Sequence, residues 1–185
     1  MPKRTNAVRP RPTAGNGIRL KRPEREQQLL DAALGLFGEC GYQGTSIEDI
    51  ARAAGVTRPI IYSHFGSKDG IYLACLRRAR NDLEARMIAA AAPEGSLQEQ
   101  LAGCINAYFA FVDRGSAGWE LLYGGGAAVA GPAAAEAARL RFATVDRIAQ
   151  LIRRAAPAID ARSAKAFAHA VSGAGEQLAK WWRQN

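Results

Sequence analysis

Between Thr45 and Phe65 the chain reads TSIEDIARAAGVTRPIIYSHF, and the side chains there that could do chemistry are Arg58, Tyr62 and His64. They are not arranged for catalysis. The two histidines of the chain, His64 and His169, stand far apart, and no Ser-His-Asp set, HExxH motif or carboxylate cluster accompanies either. What this run offers is donors and apolar contacts. An arginine at the start of a helix suits the O6 and N7 edge of guanine, while Pro59 and Ile60 beside it suit thymine methyl groups. The chemistry indicated is recognition of a base-paired duplex, not turnover.

Two short helices joined by a glycine turn must hold these residues in place. Ser46 is an N-cap with Asp49 three positions on as the acceptor of a capping box. Ile47, Ile50, Ala51 and Ala54 recur at helical spacing and give the first helix one apolar face. Gly55 stands where a left-handed C-terminal residue is wanted, and Thr57 caps the second helix. Pro59 is tolerated because it falls in the first turn, where backbone donors lack partners anyway. Ile61 and Phe65, four apart, turn inward, which leaves Arg58, Pro59, Tyr62 and His64 outside. In a helix-turn-helix the second helix lies in the major groove with its N-terminal residues at base edges.

The run from Pro23 to about Leu76, above all GVTRPIIYSHFGSKDGIYLACL, closely resembles the DNA-binding domain of TetR-family transcriptional regulators. The likeness is carried by Phe37 with Gly38 and Gly41, by Thr45-Ser46, and by the run Tyr62-Ser63-His64-Phe65-Gly66-Ser67-Lys68. It covers roughly fifty of the 185 residues. The resemblance implies that Tyr62, His64 and Lys68 clamp phosphates, with Thr45, Ser46 and Thr57 helping at the two helix starts. Such contacts fix register without reading sequence. Ile60 departs from the small or polar residue common at its position. The resemblance also implies a C-terminal region for ligand binding and dimerisation, a homodimer on a palindromic operator, and release from double-stranded DNA by a small apolar effector.

Composition supports an all-α protein: 48% of residues are apolar, aromatics are few, and no β-branched run is long enough for a strand. No apolar stretch approaches the ~20 uncharged residues of a membrane span, so a cytoplasmic protein without membrane contact is expected. Cys40, Cys75 and Cys104 are odd in number and widely spaced, which suits free thiols rather than disulfides or a metal site. No cofactor is expected. Of the net charge of +8, +7 lies in residues 1–25, where eight basic side chains face Glu24 alone. Residues 1–22, rich in Pro and Gly, read as a disordered basic arm. Of its residues, Arg19, Lys21 and Arg22, with Arg25 just beyond, lie near enough to the first helix to reach phosphates or a minor groove.

Further along, Arg25 to Cys40 reads as a first helix stopped by Gly41, and Ser67 caps a fourth helix running to about Ala92. Arg77, Arg78, Arg80 and Arg86 read as that helix's wet face. The domains expected are 23–76 for DNA binding and 77–185 for regulation and dimerisation, with Pro93-Glu94-Gly95-Ser96 as the clearest break. Pro132 to Ala155 carries two adjacent apolar stripes, which predicts a helix enclosed by neighbours. Cys104, Tyr108, Phe111, Trp119, Leu122, Phe142 and Val145 are candidates for a ligand pocket, or equally for ordinary core. In the last helix Phe167, Val171, Ala174, Leu178 and Trp181 fall four, three, four and three apart, the spacing of a bundle or dimer seam. TetR relatives usually carry one more helix, so a reduced interface or further residues beyond Asn185 are both open. The rival reading is an architectural or partner-recruiting DNA-binding factor without small-molecule control; a closed apolar cavity in the C-terminal region separates the two.

Overall fold

Alanine, leucine and the long charged side chains that dominate this sequence lose little freedom in a helix. A computed structural model describes residues 20–90, 95–113, 117–124 and 132–185, and among them it holds eight helices and no strand. They are α1 (Arg22–Gly44), α2 (Ile47–Ala53), α3 (Arg58–Phe65), α4 (Lys68–Ala90), α5 (Leu97–Asp113), α6 (Ala117–Tyr123), α7 (Pro132–Ala155) and α8 (Ala161–Gln184). The basic residues from Lys3 to Arg19, the Pro93-Glu94 break and the glycines 125, 126 and 131 lie outside the described residues. Among the described residues no helix is long and apolar enough to cross a membrane.

The first helix runs further than its sequence suggests. Gly41 adopts φ 68° and breaks the helical path, but a further turn follows to Gly44, so α1 is kinked rather than ended. Leu29, Ala33 and Phe37 of α1 meet Ile50, Ile61, Ile71, Tyr72, Cys75 and Leu76, all within 2% of full burial. This core continues without a gap through Leu83, Phe111, Trp119 and Leu140 to Ala179 of α8. The helix-turn-helix head and the C-terminal helices therefore share one apolar interior, with α4 packed against α1, α5, α6 and α7.

The arginines of α4 are more than a wet face. Arg78 pairs with Asp31 of α1 at 2.5 Å, and Arg77 reaches Glu136 of α7 at 3.5 Å. Both pairs are half-exposed and contribute little energy individually, but they tie α4 to elements of both regions. A second tie is steric. A Cβ on Gly38 would lie 2.6 Å from the Ala117 Cβ and 2.8 Å from its Cα, so only glycine lets α6 seat on α1. Gly38→Ala is expected to destabilise the fold by about 1–3 kcal/mol through overpacking, read as a lower midpoint in urea unfolding.

At the far end, α8 buries Ala164, Ala168 and Ala179, small residues that let α7 come close. The wide apolar face of α7 is only partly covered. Leu140 and Val145 are buried, whereas Phe142 is 61% exposed and Leu151 is also exposed. A helix enclosed by its neighbours was the expectation; α4 and α8 pack against α7, and within a single chain Phe142 and Leu151 are left facing outward.

Candidate nucleic-acid interface

The turn between α2 and α3 is built by hydrogen bonds that the local sequence dictates. The Ser46 hydroxyl accepts from the Asp49 N–H at 3.1 Å, and Asp49 Oδ2 accepts from the Ser46 N–H at 3.1 Å, a reciprocal capping box. The Ser46 hydroxyl also donates to Asp49 Oδ2 at 2.5 Å, and that bond, with the one from the Ser46 N–H, holds the Asp49 carboxyl below its ordinary range. At the other end of α2, Val56 N–H donates to Ala51 O at 2.9 Å and Gly55 N–H to Arg52 O at 3.2 Å. This Schellman closure needs a residue at positive φ, and Gly55 supplies it at 64° without a Cβ penalty. Gln28 of α1 seals the junction, its side-chain amide donating to Ala54 O at 3.0 Å.

The chain then leaves the turn at an angle that throws one edge of α3 into solvent. Ile61 is fully buried beneath it. Thr57, Arg58 and Pro59 are exposed, as are Ile60 at 38% and Tyr62 at 49%. Thr57 holds the N-cap position, but its hydroxyl makes no capping bond and stays available to a partner outside the protein. His64 is half-buried, with Nδ1 shielded and unpartnered among the described residues. Arg58 Nη1 stands 3.6 Å from Glu48 Oε2 on α2, both side chains well exposed. Lys68 opens α4 beside this surface, its ammonium 4.2 Å from the centre of the Tyr42 ring.

Thr45 does not face a groove. Expected to help hold phosphate, it is 2% exposed, and its hydroxyl bonds back to Gly41 O at 2.8 Å and Leu36 O at 3.1 Å. It braces the kinked end of α1 rather than facing a groove. Thr45→Val, which keeps the shape but strands those acceptors, is expected to cost about 1–3 kcal/mol. Thermal unfolding measures that loss, and DNA affinity of the folded variant should hardly move.

The pocket candidates divide between core and surface. Phe111, Trp119, Leu122 and Val145 are buried to 4% exposure or less, and Trp119 Nε1 donates to the Tyr108 hydroxyl at 3.2 Å. Cys104 is half-buried, its thiol reaching Met87 O at 3.6 Å, and burial pushes that thiol up, away from a reactive thiolate. Phe142 faces solvent and drops out of the set. Two hollows, about 420 and 310 Å³, lie instead beside Cys40 at the end of α1, one against Asp49 and Arg52 and the other against Tyr72 and Glu120. Neither is lined by the predicted pocket residues. The dimer candidates behave as a surface: Phe167 (57%), Val171 (49%), Leu178 (53%) and Trp181 (59%) are all exposed, with Ala174 between them.

Sequence spacing missed Gln28, Glu48 and Tyr42, whose partners lie on other helices.

A capped α2, a glycine-set turn and an outward α3, mounted on a helical body, define a DNA-binding transcriptional regulator of the helix-turn-helix class. Comparison with known proteins narrows this. The family described as bacterial regulatory proteins, tetR family, matches residues 29–75, and the tetracyclin repressor-like C-terminal domain matches residues 97–185. The HTH-type transcriptional activator FasR of Mycolicibacterium smegmatis is 32% identical over 95% of this chain and 80% of its own. A TetR-like transcriptional regulator from Rhodococcus sp. RHA1 superposes with a TM-score of 0.71 at 30% identity, covering 87% of this chain and 85% of that one. The multidrug binding protein EbrR, solved in complex with imidazole, does so at 0.62 and 27% identity, over 84% of each chain. The chain belongs to the TetR family, whose members are transcriptional regulators and not enzymes.

Proposed function

We propose that this protein is a cytoplasmic homodimer that binds a palindromic operator with its two α3 helices in successive major grooves. The observation that carries the reading is the outward edge of α3, with Arg58 at its first position and Thr57, Tyr62 and Lys68 around it. Arg58 reads a guanine; Thr57, Tyr62, His64 and Lys68 hold the backbone, with Ser46 at the α2 terminus. In a twofold dimer the recognition helices must lie about 34–36 Å apart to match one turn of duplex. The exposed apolar stripe of α8 supports the pairing, since monomers seldom leave so much contiguous apolar surface wet.

Repression is the simplest outcome of a dimer occupying a promoter, and release by a small apolar molecule would follow if that molecule prefers a state with the helices misspaced. The complex of EbrR with imidazole supports ligand control. The burial of Phe111, Trp119, Leu122 and Val145 as ordinary core residues supports instead the second reading, a DNA-binding or recruiting factor without a small-molecule trigger. FasR is named an activator, so the sign of regulation is itself part of the test. Footprinting on bound genomic fragments, then in vitro transcription with and without compounds that lift the footprint, decides among these. Protection over a palindrome with half-sites one helical turn apart is the expected result; no preferred duplex at low salt would end the proposal.

A further inference from the structure

The kink at Gly41 delivers Tyr42 beneath the start of α4, where four contacts meet on one side chain. Its ring stacks on Phe37 (centroids 6.2 Å, planes 15° apart) and takes the edge of Tyr72 (5.0 Å). Phe37 and Tyr72 are 2% and 1% exposed, so the ring is fixed to the core. The Tyr42 hydroxyl donates to Asp69 Oδ1, and the Lys68 ammonium sits 4.2 Å from the ring centre. Lys68 makes no ion pair among the described residues, although a carboxylate follows it directly in sequence.

We propose that Tyr42 is a positioning residue for DNA binding: its ring seats the Lys68 ammonium and its hydroxyl occupies the Asp69 carboxylate, leaving the lysine donors free for a phosphate. The inference rests on the reading of Lys68 as a phosphate contact. A lysine on a flexible four-carbon stem beside an unoccupied carboxylate would spend much of its time paired with it, and a neutralised lysine releases no counterion on binding DNA. An aromatic face attracts the ammonium without neutralising it. The Tyr42 hydroxyl is suited to its part, because burial and Asp69 push its pKa up to about 12 and keep its proton in place.

The test is the affinity of the full chain for a random-sequence duplex as a function of salt, with circular dichroism to confirm folding. Lys68→Ala is expected to lower the log–log salt slope by about 0.9, one phosphate's worth. Tyr42→Leu should lose a similar share of slope and affinity, and Tyr42→Leu/Lys68→Ala should bind no more weakly than Lys68→Ala alone. Tyr42→Phe keeps the platform but releases Asp69; its smaller loss should be rescued by adding Asp69→Asn, which a merely structural tyrosine would not predict. Additive losses in the double variant, or no rescue by Asp69→Asn, overturn the role of Tyr42 while Lys68 keeps its own. An unchanged slope in Lys68→Ala overturns the phosphate reading beneath both. Should Tyr42→Leu fail to fold, the Tyr42→Phe and Asp69→Asn pair decides by itself.

Discussion

Replacing Arg58 with alanine is expected to flatten the protein's preference among DNA sequences by about 1–3 kcal/mol while leaving weak, general DNA binding largely intact. The guanidinium is at the first position of α3, 63% exposed, and within 3.6 Å of Glu48 Oε2. That neighbour matters in two ways. It draws one branch of the guanidinium to one side, which leaves the rest of the fork for two acceptors of a guanine. It also puts a negative charge next to the groove, which disfavours unspecific approach to phosphates. Lys68→Ala should act differently, weakening all duplexes alike because a phosphate contact carries no sequence information. Selection of bound fragments from a random pool separates the two. The Arg58 variant should lose a base preference at one position of each half-site, and the Lys68 variant should keep every preference at lower affinity. Equal losses on specific and random DNA for both variants would defeat this division of labour.

The larger effect is expected from a charge on α8. Val171→Glu, alone or with Leu178→Glu, should convert the protein to a monomer and lower operator affinity by about 10²–10⁴-fold, the usual gain from tethering two binding modules. Val171 is 49% and Leu178 53% exposed in the single chain, so a glutamate at either position costs the fold little. In a paired face the same carboxylate would be buried without a partner, which a protein interface does not tolerate. Sedimentation gives the mass and titration with a palindromic duplex gives the affinity; both should change together, while the melting curve at low concentration should not. A variant that stays dimeric would move the interface elsewhere, with Phe142 and Leu151 of α7 as the next apolar surface to charge.

The helix-turn-helix was legible in one dimension because its determinants are local. A cap bonds three residues away, a left-handed glycine closes the helix it ends, and apolar side chains four apart share a face. Ser46 with Asp49, Gly55, and Ile61 beneath α3 therefore stand in the structure as their spacing implied. The stripe on α8 was equally visible, since a period of 3.5 residues marks a face whatever covers it. What periodicity marks is an apolar face, not its neighbour. For that reason Phe142 and Val145 read alike in sequence, yet one is open to solvent and the other buried between helices.

Everything that depends on which helix lies next to which was decided by tertiary packing. Gly41 carries the signature of a helix end, but the turn that follows it is stabilised by Thr45 reaching back to Leu36 and Gly41, and by Tyr42 docking against Phe37 and Tyr72. The same contacts turn Thr45 inward, away from the DNA role its position implied. Glu48 meets Arg58 only because the Gly55 turn folds α2 against α3, and Arg78 meets Asp31 only because α4 lies along α1. The sequence by itself determined where helices form, though not how far α1 runs, and which edge of α3 looks outward, since hydrogen bonds and hydrophobic period act over a few residues. Long-range packing alone chose the partners of the charged and aromatic groups, since those energies exist only once distant segments share a core.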